Sequence, residues 1–182
     1  MKPDYIKYYE DTLQLASSYA SKNKMGFVRS TMKEVVEGML DLIWQNETGG
    51  TSKKNDYVDS VSKSGAVLKF QVDRHLYVDD NLVALGECKA YLDRCFMERA
   101  SSDFSRIKNG VNQKPKTFIL ALEDAVGKNA YQYYMDEEHI DNVFYLCDGK
   151  RSPVKPIWRK KFYKPINEKK LDAFITFVQR MK

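Results

Sequence analysis

The chain has few of the residues that disulfide-bonded and zinc-binding proteins depend on. Of its 182 residues only three are cysteine and two are histidine. Cys88, Cys95 and Cys147 are odd in number and have no C-x-x-C spacing, which argues against a disulfide framework and a structural zinc site. His75 and His139 are too few for a zinc-dependent hydrolase site. This cysteine usage fits a reducing compartment, so we expect a cytoplasmic protein.

Long apolar runs are also absent. No segment approaches the roughly 20 apolar residues that span a bilayer, and charged residues interrupt the first 20 positions, unlike a signal peptide. We therefore expect neither a membrane protein nor a secreted one. The composition is 43% hydrophobic and 13% aromatic, which is ample for a packed core. The length predicts a single domain over residues 1–182.

The most informative segment is residues 72–91, VDRHLYVDDNLVALGECKAY. Residues 72–78 are rich in β-branched and aromatic side chains, and residues 82–89 predict a second strand. Asp79-Asp80-Asn81 lies between them and is typical of a tight turn. The segment therefore predicts a β-hairpin.

This hairpin brings three charged groups together. With Asp80 as its apex, Asp73 lies seven residues before the apex and Glu87 seven after it. A regular hairpin then sets the two carboxylates opposite each other, with Cβ atoms about 5 Å apart. Because strand side chains alternate, Lys89 shares the face of Glu87, and Cys88 points the other way, towards the core.

The two carboxylates predict a metal site. Carboxylates this close repel one another unless positive charge lies between them. Oxygen ligands without histidine or thiolate suit Mg²⁺, which binds one or two carboxylates together with waters and a substrate phosphate. Such a site indicates hydrolysis of a phosphodiester, with Lys89 positioning the attacking water or stabilising the negative charge that develops.

Asp73, thirteen residues and then Glu87-Cys88-Lys89 resemble the PD-(D/E)XK nuclease signature, familiar from type II restriction endonucleases. The resemblance implies that Asp73 and Glu87 bind Mg²⁺ and that Lys89 is the catalytic lysine. Val72 departs from the signature, which often has proline at that position. The motif covers about 20 of the 182 residues. The alternative is an exposed hairpin on which the three residues form only a surface charge cluster.

Further site residues follow from this resemblance. Family members often add an acidic residue from an early helix, and of Glu34 and Glu37 we expect Glu37 to contribute to catalysis. Arg94 and Arg99 lie on the predicted helix after the Glu-x-Lys motif and are candidates for DNA contacts, since Arg reads guanine bidentately. Alternatively, these arginines pair with Glu98 at the surface, where ion pairs contribute little.

Positive charge is concentrated in residues 150–164, KRSPVKPIWRKKFYK. This segment holds seven of the 30 basic residues and no acidic one, which leaves 23 basic against 25 acidic residues elsewhere. Phosphate contacts from such a segment supply sequence-independent affinity for DNA. We therefore expect DNA contacts from Lys155, Arg159, Lys160 and Lys161. The alternative is a solvated loop whose aromatic residues pack into the core.

The remaining pattern predicts an α/β chain, and the resemblance implies a mixed central β-sheet flanked by helices. A break is expected at residues 49–55, and Asn167 is expected to cap the last helix. The predicted elements are a helix over 5–21, a helix from Ser30 or Thr31 to about 46, strands over 57–61, 66–78 and 82–89, a helix over 91–108, a strand over 117–122, a helix over 128–138, a strand over 143–147 and a helix over 167–181.

The resemblance implies a prokaryotic, Mg²⁺-dependent type II restriction endonuclease. Such an enzyme binds double-stranded DNA as a homodimer and leaves 5′-phosphate and 3′-hydroxyl ends, and a cognate DNA methyltransferase is expected in the same system. Within the family, a structure-specific repair nuclease of the Holliday-junction resolvase type and a nicking subunit with a partner chain stay open. A non-catalytic DNA-binding module is the alternative from a different class.

Overall fold

A computed structural model describes residues 4–20, 25–111, 114–150 and 164–182. The chain begins with two helices, continues through three strands, and then alternates helices and strands to its end. The elements are α1 (Tyr5–Ala20), α2 (Met25–Thr48), β1 (Thr51–Val61), β2 (Val67–Val78), β3 (Asn81–Leu92), α3 (Arg94–Gly110), β4 (Lys116–Asp124), α4 (Lys128–Asp136), β5 (Asn142–Tyr145) and α5 (Glu168–Gln179).

The five strands form one mixed sheet in the order β1-β2-β3-β4-β5. β1, β2 and β3 are antiparallel neighbours, whereas β3, β4 and β5 run parallel. α3 connects β3 to β4 and α4 connects β4 to β5, because parallel strands need a crossover. The predicted mixed sheet flanked by helices is confirmed.

Helices cover both faces of the sheet, and the side chains of the interior strand β4 are buried on both faces. Phe118, Leu120 and Leu122 pack into a core with α1, α2 and α5, whereas Ile119 and Ala121 pack on the other face with α3 and α4. A strand buried on both faces reads as a continuous apolar run. None of the helices in the described ranges combines the length and apolar character that crossing a bilayer requires.

The sheet forks at its centre. β2 pairs with β3 as far as Arg74 and Gly86. Beyond this pair β2 remains with β1, and β3 remains with β4. The next residues along the two strands, Asp73 and Glu87, therefore lie where the two halves of the sheet diverge.

The hairpin between β2 and β3 has a two-residue turn and one β-bulge. Asp79 and Asp80 both have positive φ angles, 48° and 61°, as a type I′ turn requires. The register along the hairpin runs through the pairs Val78–Asn81, Tyr77–Leu82, Leu76–Ala84 and His75–Leu85. Val83 is thus an extra residue in β3. The expected apex at Asp80 was wrong by half a residue, and the bulge restores the predicted alignment of Asp73 with Glu87.

Gly86 allows the sheet to pack closely at the fork. A Cβ atom there would lie 2.8 Å from the Phe118 ring and 3.3 Å from Leu40. Both neighbours are fully buried, so neither can move away without opening the core. The residue before Glu87 therefore has to lack a side chain.

The starts of two elements differ most from the sequence prediction. β1 begins at Thr51, so residues 51–55 form strand where a break was expected. β1 is an edge strand, and edge strands carry charged, exposed residues that hide the usual alternation. α2 begins at Met25, which places Ser30 and Thr31 inside the helix instead of at its cap. Serine and threonine reduce the stability of a helix only slightly when its apolar face packs against neighbouring elements.

The predicted cap of the last helix is confirmed. The Asn167 side chain accepts a hydrogen bond from the backbone N–H of Lys170 at 3.2 Å. It also donates to Asp148 at 2.7 Å. α5 is therefore fixed at the point where it enters the core.

Asp141 connects three parts of the fold. Its Oδ2 atom accepts hydrogen bonds from the Thr117 backbone N–H at 2.7 Å and from Lys108 Nζ at 2.9 Å. Burial alone would raise the pKa of Asp141. The Thr117 N–H group and the Lys108 ammonium outweigh this and hold the pKa below its ordinary value.

Candidate active site

A polar cleft of about 450 Å³ opens at the fork of the sheet. One wall comes from β1 and β2, the opposite wall from β3 and α3, and the start of α2 closes the end. Its polar lining includes Lys33, Asn55, Gln71, Asp73, Glu87 and Lys89. α3 contributes Phe96 and Arg99.

Asp73, Glu87 and Lys89 meet within this cleft. Lys89 Nζ donates hydrogen bonds to Asp73 Oδ2 at 2.9 Å and to Glu87 Oε2. The backbone N–H of Cys88 also donates to Asp73 Oδ2, at 2.9 Å. Because β3 has left the ladder with β2 at this point, its N–H group is available to hold the aspartate. Cys88 itself is fully buried on the other face, as its position in the strand predicts.

The two carboxylates differ in their tendency to ionise. Burial would raise the pKa of Asp73, but the Lys89 charge and hydrogen bonds from Lys33, Lys89 and the Cys88 N–H lower it to about 2. Burial together with repulsion from Asp73 raises the pKa of Glu87 to about 7, against the opposing charge of Lys89. Near neutral pH the site thus has one fixed negative charge and a second that additional positive charge would stabilise.

The Lys89 ammonium remains protonated. Burial would lower the pKa of Lys89, but the charges of Glu87 and Asp73 raise it above its ordinary value. The Phe96 ring lies 5.7 Å from Lys89 Nζ and covers one side of it. Lys89 is therefore a hydrogen-bond donor to both carboxylates and a source of positive charge in the cleft.

Lys33 is a second cation in the cleft, and sequence reasoning missed it. Its Nζ atom lies 2.5 Å from Asp73 Oδ1 and 3.3 Å from Glu37 Oε1. Burial would lower the pKa of Lys33, but its hydrogen bond and ion pair with Asp73 raise it. The only sequence signal was its position four residues before Glu37 on one helix face.

Glu37 is only 2% exposed and joins the site indirectly. Its Oε2 atom lies 3.1 Å from Lys54 Nζ and 3.2 Å from Arg74 Nη1, but neither makes a hydrogen bond of good geometry to it. Glu37 does not line the cleft and is connected to Asp73 through Lys33. Its catalytic contribution stays a prediction.

Arg74 fixes the strand that carries Asp73. Its guanidinium makes a bidentate contact with Asp41 of α2, with Nε at 2.7 Å and Nη2 at 3.0 Å from the two carboxylate oxygens. Its Nη1 atom donates to the backbone carbonyl of Asp73 at 2.9 Å. β2 is therefore tied to α2 at the residue next to the aspartate.

The predicted DNA-contacting residues are placed differently from one another. Arg99 lines the cleft with its side chain 82% exposed and lies 3.8 Å from Asp103. Arg94 is exposed in the first turn of α3 and does not line the cleft. Lys155, Arg159, Lys160 and Lys161 lie outside the described residues.

The carboxylates fit a hard divalent cation. Asp73 and Glu87 both reach a single Nζ atom, so one positive centre can be shared between them. The described ranges contain no group of three or more His, Cys, Asp and Glu residues that could hold a metal. The protein ligands would therefore be these two carboxylates. Mg²⁺ accepts such a set because it retains waters and takes further oxygens from a substrate phosphate.

The chain is similar to known proteins in sequence and in fold. No family model matches the sequence. The chain is 26% identical to the type II restriction enzyme DdeI of Desulfomicrobium norvegicum over 226 aligned positions, which cover 96% of this chain and 92% of that protein. Its fold is similar to P. aeruginosa ATCC27853 NucC in a cAAA-bound form, with a TM-score of 0.51, 14% identity, and coverage of 94% of this chain and 96% of that one. The latter comparison concerns the fold alone.

Proposed function

We propose that this chain, a member of the restriction-endonuclease-like superfamily, is a metal-dependent endonuclease that cleaves double-stranded DNA at a specific sequence. The convergence of Asp73, Glu87 and Lys89 in one cleft carries the proposal, because the three groups share the Lys89 ammonium. The similarity to a type II restriction enzyme along 96% of the chain supports DNA as the substrate.

Asp73 and Glu87 would hold the metal ion, for which we propose Mg²⁺. A bound divalent cation would polarise the phosphoryl oxygens and add the positive charge that favours ionised Glu87. Asp73 is already ionised and is held in position by the Cys88 N–H group. Both carboxylates line the cleft.

Lys89 would act on the phosphodiester as a donor. A water molecule attacks the phosphorus atom, the P–O3′ bond breaks, and the products are a 5′-phosphate and a 3′-hydroxyl. The attacking water loses a proton to solvent, and the leaving 3′-oxygen takes one from solvent. The protonated Lys89 donates to the attacking water or to a phosphoryl oxygen, where it stabilises the charge that develops. The Phe96 ring lies beside this ammonium.

We further propose that two copies act on a palindromic site. One cleft holds one set of catalytic groups and can cut one strand, so a homodimer with twofold symmetry would cut both strands of a symmetric sequence. Arg99 would contact DNA from the cleft, and the basic segment 150–164 would add phosphate contacts. A cognate methyltransferase would protect the host sequence.

The test is incubation with long unmethylated duplex DNA in Mg²⁺ or EDTA. Glu87→Gln and Lys89→Met are compared with Glu98→Gln, an exposed position on α3 outside the cleft. We expect discrete Mg²⁺-dependent fragments from the wild type and Glu98→Gln. Cleavage should fall roughly 10²- to 10³-fold or more in the two site variants, whereas their DNA affinity in Ca²⁺ persists.

Four other results would redirect the proposal. Full activity in Glu87→Gln would contradict the site assignment. Cleavage of branched but not linear duplexes would indicate a structure-specific nuclease, and single-strand nicks would indicate a subunit that needs a partner. If duplex, supercoiled and branched DNA all remain intact although they bind, the protein is a DNA-binding module.

A further inference from the structure

Asn55 has a left-handed backbone in the middle of a strand. Its φ angle is 51°, although it is the fifth residue of the 11-residue strand β1. The flanking pairs Lys54–Arg74 and Asp56–Val72 keep one register, so Asn55 stands directly opposite Asp73. Among the described residues, the other non-glycine residues with positive φ occur in turns, at Asp79 and Asp80 of the hairpin and at Glu138 after α4.

This conformation interrupts the β-ladder beside the candidate metal ligand. Lys54–Arg74 and Asp56–Val72 are paired, but Asn55 and Asp73 between them are not. The freed carbonyls have other donors, because Gln71 Nε2 donates to the Asn55 carbonyl at 3.1 Å and Arg74 donates to the Asp73 carbonyl at 2.9 Å. The surrounding residues therefore support the irregular backbone.

The Asn55 side chain is available to a ligand. Asn55 is exposed and lines the cleft with Asp73, Glu87 and Lys89. The backbone carbonyl of Asn55 accepts the hydrogen bond from Gln71. The side-chain amide of Asn55 has no hydrogen-bond partner within the described ranges. Because Asn55 and Asp73 line the same cleft, a phosphate bound at Asp73 would lie in the cleft to which Asn55 contributes.

Left-handed backbone is costly for non-glycine residues and persists most often where a site requires it. Glycine would satisfy the backbone angle without cost. Asparagine tolerates the angle and adds an amide. The amide N–H group can donate to an anion without adding charge to a cleft whose lining already contains two ammonium groups, one guanidinium and three carboxylates.

We propose that the Asn55 side chain donates a hydrogen bond to a phosphate oxygen of the cleaved DNA strand, next to the bond that is hydrolysed. This inference rests on the proposed endonuclease function. It assigns a substrate-contacting role to a residue of the edge strand, which lies outside the Asp-Glu-x-Lys motif. Because every DNA sequence has the same phosphate backbone, this contact would not depend on the base sequence of the DNA.

The experiment separates the amide from the backbone angle. Asn55→Gly keeps the left-handed conformation and removes the amide, whereas Asn55→Ala removes the amide and strains the backbone. Asp79→Gly is the matched control, since it relieves a φ of 48° at the exposed turn between β2 and β3. Thermal melting first compares the folding of the variants, and only Asn55→Ala should melt below the wild type.

Single-turnover cleavage and DNA binding in Ca²⁺ are then measured on the duplex that the wild type cuts. We expect Asn55→Gly to lose roughly 10- to 100-fold in cleavage rate, as for a lost hydrogen bond to a charged group. Asn55→Asp should lose more, because its carboxylate repels the phosphate. Asp79→Gly should cleave like the wild type.

Cleavage and binding by Asn55→Gly at wild-type levels would overturn the inference, and Asn55 would then only shape the strand. The proposed endonuclease function would survive that result. Wild-type activity in Asn55→Asp would contradict the phosphate contact in the same way. Failure of the wild type to cut any DNA would remove the endonuclease proposal and this inference with it.

Discussion

Replacing Lys33 by methionine should tighten metal binding in the absence of DNA. Lys33 Nζ lies 2.5 Å from Asp73 Oδ1 and so occupies one of the two oxygens that the proposed cation needs. Methionine is close in length to lysine and lacks the charge. Lys33→Met therefore frees this oxygen and removes a positive charge that would repel an incoming cation.

The magnitude follows from the ion pair. At 2.5 Å and an effective dielectric constant of about 20, two unit charges attract by roughly 6 to 7 kcal/mol. The Lys33 side chain is 33% exposed, so desolvation and solvent screening offset most of this energy. A net competition of about 1 to 2 kcal/mol remains, which corresponds to roughly 5- to 30-fold tighter metal binding.

Titration calorimetry with Mg²⁺ or Mn²⁺ on the free protein measures this change directly. Lys54→Met is the matched control, because Lys54 pairs with Glu37 at 3.1 Å and makes no contact with Asp73. We expect affinity to rise in Lys33→Met and to stay near wild type in Lys54→Met. Unchanged or weaker binding in Lys33→Met, with the fold intact by thermal melting, would refute the competition between Lys33 and the metal.

Three further predictions concern stability. Gly86→Ala should destabilise the fold by about 1 to 3 kcal/mol in chemical denaturation, because the added methyl group would overlap the Phe118 ring. Gly127→Ala should be nearly neutral, because a Cβ atom at Gly127 would have no other atom within 4 Å. Asp141→Asn should lower stability at neutral pH. Because the pKa of Asp141 is lowered in the folded protein, its ionised form stabilises the fold at pH values above the unfolded pKa of about 3.9. This stabilisation is lost as the pH falls through the folded pKa. The free energy of unfolding, measured by denaturation between pH 7 and 3, should therefore decline less steeply in Asp141→Asn than in the wild type. Asn167→Ala should cost about 1 kcal/mol in the same denaturation assay through loss of the cap of α5.

Each stability prediction has a contrary result. Equal costs at Gly86 and Gly127 would mean that the core at the fork can expand. An acid-stability profile of Asp141→Asn parallel to that of the wild type would exclude the aspartate as a source of the pH dependence. Full stability of Asn167→Ala would indicate that packing alone holds the start of α5.

The motif residues could be predicted because they are local. Asp73, Glu87 and Lys89 lie on one hairpin, where alternation and turn chemistry decide which side chains meet. The buried strand β4 could also be predicted from the sequence, because a short apolar run of that length is typical of a buried strand. These features depend on neighbours within about 20 residues.

Lys33 and Asn55 could not be predicted from the sequence in the same way. Lys33 approaches Asp73 from a helix 40 residues away, and its role depends on how α2 packs across the sheet. Asn55 lies in a polar edge segment that predicts a break, because exposed edge strands lack alternation. Its left-handed angle is visible only once the register with β2 is known.

The bulge at Val83 makes the candidate chemistry depend on counting residues. If all thirteen residues between Asp73 and Glu87 stayed in a regular ladder without the bulge, the two-residue turn would set Asp73 opposite Gly86, and Glu87 and Lys89 would point to the opposite side of the sheet. Deletion of Val83 itself would join the pairs Tyr77–Leu82 and Leu76–Ala84 directly and leave Asp73 opposite Glu87. A spacing of thirteen residues therefore forms this site only with the bulge, and a spacing of twelve forms it only without the bulge. An alignment that matches only the letters of the motif does not show which of the two hairpins a chain has.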